Sequence, residues 1–198
     1  MAKKVTDDFE HFYAPDRAQW RAWLEANHQH AAGVWLIYFK KESGKTRVPY
    51  DEAVEEALCF GWIDSVPNKI DELSYKQLFS PRKPKSNWSK LNKERVERLL
   101  NQGLMHPSGL KKIEIAKQNG AWDALNEVEQ LLEPEALAQA LDAIPLARQN
   151  WDAYSRTNKR VTLEWINNAK RPETRANRIQ QTVEQAAQKN IKANFPKQ

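Results

Sequence analysis

Two short stretches of this 198-residue chain hold the residue types that do chemistry: Gly61-Trp-Ile-Asp-Ser65 and Phe79-Ser-Pro-Arg-Lys-Pro-Lys-Ser-Asn-Trp-Ser89. In the second, prolines around Arg82, Lys83 and Lys85 hold the chain extended and lower the entropy cost of presenting several cations together. Trp88 offers a face on which a base or sugar could stack. Ser86 or Ser89 can cap the helix that follows, whose free N–H groups suit a phosphate or carboxylate. In the first stretch, Asp64 is suited to neutralise Arg82, to act as a general base or to ligate a metal, and a structural ion pair with Arg82 is the plainer of these roles. The predicted anion site is therefore Trp62, Asp64, Ser65, Arg82, Lys83, Lys85, Ser86, Trp88 and Ser89. The competing reading is a solvated basic loop that Trp88 pins to the sheet.

The charge is placed rather than spread. From Lys76 to Arg98 there are eight basic residues against two acids, an excess larger than the +5 of the whole chain. Such a concentrated field draws an anionic partner: a small molecule, an acidic protein or nucleic acid. A second basic region holds Lys170, Arg171, Arg175 and Arg178. Its three arginines fall at i, i+4 and i+7, one face of a helix. They suit either a nucleic-acid backbone or the acids of residues 51–56.

Other chemistries find no support. A single cysteine, Cys59, excludes an intrachain disulfide and a Cys-x-x-Cys zinc cluster, and its apolar neighbours predict a buried, inert thiol. Four scattered histidines form no triad or metal-ligand spacing, and no Gly-x-Gly loop exists to cradle phosphates. No metal, cofactor or catalytic residue is assigned. The N-terminus lacks an apolar signal core and no window approaches 18 apolar residues, so a cytoplasmic protein without a membrane span is expected.

Proline, glycine and apolar periodicity outline the elements that must position these groups. Residues 1–14 read as an arm. A helix follows Pro15-Asp16, with Trp20, Trp23 and Leu24 on one face. Val34–Phe39 reads as a buried strand. Pro49 opens a second helix with a buried stripe of Tyr50, Val54, Ala57 and Leu58 and a solvated face of Asp51, Glu52, Glu55 and Glu56. Residues 61–66 and 73–79 form a hairpin with Leu73, Tyr75 and Phe79 on one face, and the basic stretch leaves it for a helix over 90–101. The second half reads as helices over 110–119, 122–132, 134–142, 145–154, 157–170 and 172–190. The fold class is α+β: N-terminal helices on a small, mainly antiparallel sheet (1–105), then an all-helical unit (106–198), with the join within 104–133.

Ala57-Leu-Cys-Phe-Gly-Trp-Ile-Asp-Ser65, Phe79-Ser-Pro-Arg82 with Ser86-Asn-Trp-Ser89, and Trp165-Ile-x-x-Ala-Lys-Arg-Pro-Glu-Thr-Arg-x-x-Arg-Ile179 together resemble the YdeI/OmpD-associated (OmdA, bacteriocin-protection) family, in the family's order and over nearly the whole chain. The resemblance implies a YjbR/CyaY-like N-terminal part with helices on one face of a mainly antiparallel sheet. It transfers no reaction and no catalytic residue. Iron handling, which frataxin kinship implies, needs a dense acidic first helix, whereas this one carries only Asp16 and Glu25 beside Arg17 and Arg21. The leading expectation is a non-catalytic module that binds an anionic small molecule or protein, linked to bacteriocin or stress protection. The alternatives are a nucleic-acid binder using both basic regions, and an enzyme on a phosphorylated or carboxylated molecule with Asp64 as base and Arg82 as clamp.

Overall fold

The computed structural model describes residues 5–188. The predicted start of the arm (1–4) and end of the last helix (189–190) lie outside the described residues. The chain divides into two compact units, Met1–Ala124 and Leu125–Gln198. The fold is α+β with a helical C-terminal part, as its sequence pattern implies.

The first unit is built on a four-stranded sheet: β1 (Glu10–Tyr13), β2 (Val34–Phe39), β3 (Trp62–Lys69) and β4 (Ser74–Pro81), in the order β1-β2-β4-β3. β1 pairs with β2 in parallel, and the other two pairings are antiparallel. The expected arm thus includes an edge strand, whose four residues Glu-His-Phe-Tyr are too few to show a period. On one face, Leu36, Phe79 and Trp62 join the buried core with Trp20, Trp23 and Leu24 of α1 (Arg17–Asn27) and Val54, Ala57 and Leu58 of α2 (Tyr50–Cys59). Asp16 caps α1 by accepting from the Gln19 amide at 2.8 Å. Trp20 Nε1 donates to the Ala53 carbonyl across the two helices, so the indole is buried without an orphan donor.

Three details depart from the sequence expectation. Leu73 lies outside β4 and is exposed, and Tyr75, Gln77 and Phe79 share the core face instead. Tyr50 is exposed at the start of α2 rather than part of its buried stripe. Glu56, placed on the solvated face, is 2% exposed because Arg17 Nε and Arg21 Nη1 of α1 meet its two oxygens at 2.5 and 2.8 Å.

Helices α3 (Lys90–Asn101) and α4 (Pro107–Gln118) complete this unit. The division therefore falls after Ala124, inside the expected window for the join but later than residue 105. Packing explains why α4 belongs here. Gly109 lies so close to α2 that a Cβ would come within 2.2 Å of the Cys59 carbonyl oxygen, and Ile113 and Ala116 enter the first core.

The second unit consists of α5 (Asn126–Glu129), α6 (Glu135–Asp142), α7 (Pro145–Asp152), α8 (Arg156–Asn167) and α9 (Pro172–Ala187). The helix expected over 122–132 shrinks to α5. Pro145 and Pro172 occupy first-turn positions, where no N–H is missed, and Ser155 caps α8. Val128, Leu137, Leu141, Trp151, Leu163, Ile166 and Val183 form a separate core. Among the described residues no helix is long and apolar enough to cross a membrane.

Candidate anion site

Arg82 follows the last residue of β4, and its backbone N–H donates to the Gly61 carbonyl at 2.9 Å, extending the hairpin by one step. The side chain then turns inward. Its guanidinium carbon sits 3.8 Å from the centre of the Trp88 ring, and Trp88 is itself 1% exposed. A planar cation on an aromatic face is favourable, more so away from water. Arg82 is 3% exposed and one Nη donates to the Asn87 carbonyl, while Nε and the other Nη, both buried, meet no acceptor among the described residues. Burial lowers its pKa to about 10, opposed in part by the charge of Asp64. A buried cation without an anion is costly, and such sites attract one.

Asp64 holds a different set of partners from the ion pair expected. One oxygen, Oδ2, accepts from the Tyr50 hydroxyl at 2.6 Å and from Gln77 Nε2 at 3.3 Å. Gln77 Nε2 also donates to the Ser65 carbonyl at 2.7 Å, bridging the irregularity in the β3–β4 register between Asp64 and Pro67. The Tyr50 pKa is raised by burial and then by its bond to Asp64, which would face a phenolate as a like charge. Arg95 of α3 is buried and bonds Asp51 Oδ1 at 2.5 Å beside Tyr50.

Behind this pair lies Tyr38 of β2, fully buried, whose hydroxyl also has no partner among the described residues. Its ring stacks on Tyr75 with centroids 5.1 Å apart, and Arg47 Nη1 donates to the Tyr75 hydroxyl at 3.0 Å. Burial raises the Tyr38 pKa, and nearby Tyr75 and Tyr50 add to it. Tyr38, Tyr50, Gln77 and Arg95 escape a motif-based reading: Tyr38 and Tyr50 read as members of apolar stripes, and Arg95 as one more cation of the 76–98 window. The available signal is parity: Tyr75 and Gln77 alternate with Phe79 on the core face.

The remaining predicted residues divide. Trp62 is in the core and donates from Nε1 to the His28 carbonyl at 3.2 Å. Ser65, Lys83 and Lys85 are exposed. Ser86 closes a turn onto the Lys83 carbonyl, and Ser89 is the cap of α3, accepting from the Asn92 amide at 3.3 Å. The basic stretch is stapled to the end of α4, where Asn119 Nδ2 donates to the Pro84 carbonyl and the Trp88 amide to the Ala121 carbonyl. A hollow of about 290 Å³ between these segments is lined by Lys85, Asn87, Asn119, Gly120, Ala121 and Ala124. Larger grooves of about 740 and 410 Å³ run between α3 and α4, sharing Leu100, Ile113 and Lys117, but no buried charge lines them.

In the second basic region Lys170, Arg171 and Arg175 are exposed, Arg175 reaches Asn167 Oδ1 at 3.0 Å, and Arg178 lies over Trp165 and donates to its carbonyl. The acids this region was expected to meet are held within the first unit: Asp51 by Arg95, Glu55 by Arg17 and Arg98, and Glu56 by Arg17 and Arg21. Cys59 is buried, and its thiol is pushed up to about 11 by desolvation and then by Glu56, so it stays protonated at neutral pH. Among the described residues no three His, Cys, Asp or Glu side chains are grouped to hold a metal ion.

Residues 12–112 match a domain of unknown function, DUF8412, and residues 131–189 match the family described as Bacteriocin-protection, YdeI or OmpD-Associated. The second match supports the expected YdeI/OmpD-associated kinship for the helical part. The first does not confirm the YjbR/CyaY-like assignment expected for the N-terminal part. No curated protein and no solved structure matches the chain.

Proposed function

The chain belongs to the DUF8412 family, and we propose that its first unit is a module that binds a small anion against Arg82. One observation carries this reading: a guanidinium 3% exposed, with two of its nitrogens meeting no acceptor among the described residues. A folded protein recovers the desolvation of a buried cation only through an anion and well-made hydrogen bonds. Arg82 also has the bidentate geometry that recognises carboxylate and phosphate, and Trp88 fixes its plane. Lys83 and Lys85, exposed on the same segment, supply the long-range field that brings an anion in.

Nucleic acid is the weaker partner. Trp62 and Trp88 are each 1% exposed, which leaves neither ring face open to a base. The printed association with bacteriocin protection belongs to the family that the second unit resembles. We carry it to this chain as the phenotype in which an Arg82 variant is scored.

A thermal-shift titration with phosphate, citrate, nucleotides and sugar phosphates tests the proposal. A true ligand raises Tm with the logarithm of its excess over Kd, by about 2.7 kcal/mol of stability at a hundredfold excess. The shift should disappear in Arg82→Met. An unchanged shift in that variant would sink the reading.

A further inference from the structure

The grooves between α3 and α4 leave apolar surface uncovered on the first unit. Leu100 and Leu110, 45% and 42% exposed, line one end, and the half-buried Trp122 lines the other. Exposed leucines beside a concave surface mark a place where another surface packs. The anion site is separate, since Arg82 lines neither groove.

The charges around the grooves decide what that surface is. On α3, Lys90, Lys93, Glu94 and Glu97 all line the groove of about 410 Å³. They fall at i, i+3, i+4 and i+7, so two turns of one helix face read Lys-Lys-Glu-Glu. Within the chain these charges are loosely paired. Lys90 meets Glu94 at 3.8 Å with both side chains more than half exposed, Lys93 meets Asp123 at 3.6 Å, and Glu97 makes no ion pair among the described residues.

A purely acidic segment in this groove would be repelled by Glu94 and Glu97, and a purely basic one by Lys90 and Lys93. The stripe that answers both is the same stripe reversed. Laid antiparallel across a two-fold axis between residues 93 and 94, Lys90 of each copy faces Glu97 of the other, and Lys93 faces Glu94. A parallel pairing would set like charges together along the whole stripe, so the order of charges also fixes the direction. Leu100, one turn beyond Glu97, then passes over the end of the other copy's groove that Lys90 and Trp122 line.

We infer that the α3–α4 face is a self-association surface, on which a second copy of this chain packs with its α3 antiparallel. Burial of Leu100 and Trp122 drives the association, and the reversed charges set its register.

Sedimentation velocity of the full chain over a concentration series tests it. The wild type should move from 23.0 kDa toward twice that mass as its concentration rises. Glu97→Lys and Lys90→Glu each oppose like charges across the axis, and Leu100→Arg puts a cation where the apolar contact was. Each should weaken dimerisation at least about tenfold. Mixing the Glu97→Lys chain with the Lys90→Glu chain should restore a dimer, because every charge then meets its opposite. Circular dichroism and melting curves confirm that each variant folds, and a folding defect would not produce that rescue. A wild type that stays monomeric to the limit of its solubility overturns the inference and gives the groove to a different protein or ligand. A dimer that Leu100→Arg and Glu97→Lys leave unchanged overturns it as well, as do two charge variants that stay monomeric when mixed.

Discussion

Glu56 and Arg82 are almost equally withdrawn from water, at 2% and 3% exposure, yet their surroundings differ in kind. Glu56 meets two arginines from the neighbouring helix, and both its oxygens are bonded. Arg82 meets a tryptophan face and one carbonyl, and two of its nitrogens go unmet among the described residues. A fully paired buried charge is part of what holds helices together. An unpaired one is tolerated only where something else is gained, and local instability of this kind collects at functional sites. The contrast separates a paired charge on α2 from an unpaired one just past the end of β4.

The largest effect expected from this contrast is at Glu56. Removing its charge by Glu56→Ala leaves Arg17 with Glu55 and Arg21 with Glu25 alone, and should cost about 3 kcal/mol in a denaturant titration. That is the low end for breaking a buried pair, because the arginine side chains keep 33% and 30% of their surface exposed. Arg82→Met should behave oppositely, leaving stability within about 1 kcal/mol of wild type because a desolvated charge is replaced by an apolar chain. A loss at Arg82 as large as that at Glu56 would erase the contrast and make Arg82 a structural residue.

A smaller effect sharpens the same rule for a charge that appears only on protonation. His106 accepts from the Ser108 amide as the cap of α4, and its ring lies 4.8 Å from His28. Burial, then the charges of His28 and Arg21, lower its pKa, with Glu25 opposing. The unfolded chain therefore takes up the proton first. Stability is intact above the ordinary histidine value near 6.5 and is lost as the pH falls through the lower folded value. Unfolding free energy measured from pH 7.5 to 5 should decline, and His106→Asn, which keeps a capping side chain, should flatten the decline. The slope that remains belongs to His11, which burial and Lys76 also hold below its usual value.

The same contrast explains what could be read from the chain alone. Helix limits were legible where proline and serine punctuate them, as at Pro145, Pro172 and Ser89, since these residues act on the local backbone. The Val34–Phe39 strand was legible because its apolar run is continuous. The fate of Glu56 was not, because the arginines that bury it lie 35 and 39 positions away. Arg82 stood out by type and spacing, but its lysine and proline neighbours gave it the look of a solvated loop. Its burial comes from Trp88, which packs against Trp122 at 5.0 Å, a tertiary event that no local pattern records. Asp64 was legible as a carboxylate on a strand, while its partners Tyr50 and Gln77 sat in segments read as simple stripes.

The glycine at position 109 sets a limit on how this chain can be divided and varied. Because any side chain there would strike the Cys59 carbonyl, α4 approaches α2 through backbone at Gly109 as well as through its buried side chains. A segment ending at residue 105 would leave Val96, Leu99 and Phe60 without the Ile113 and Ala116 they share a core with. Ala124/Leu125 is instead the seam at which recombination could exchange one half for another, and the position at which the first unit is expected to stand as an independent heritable module.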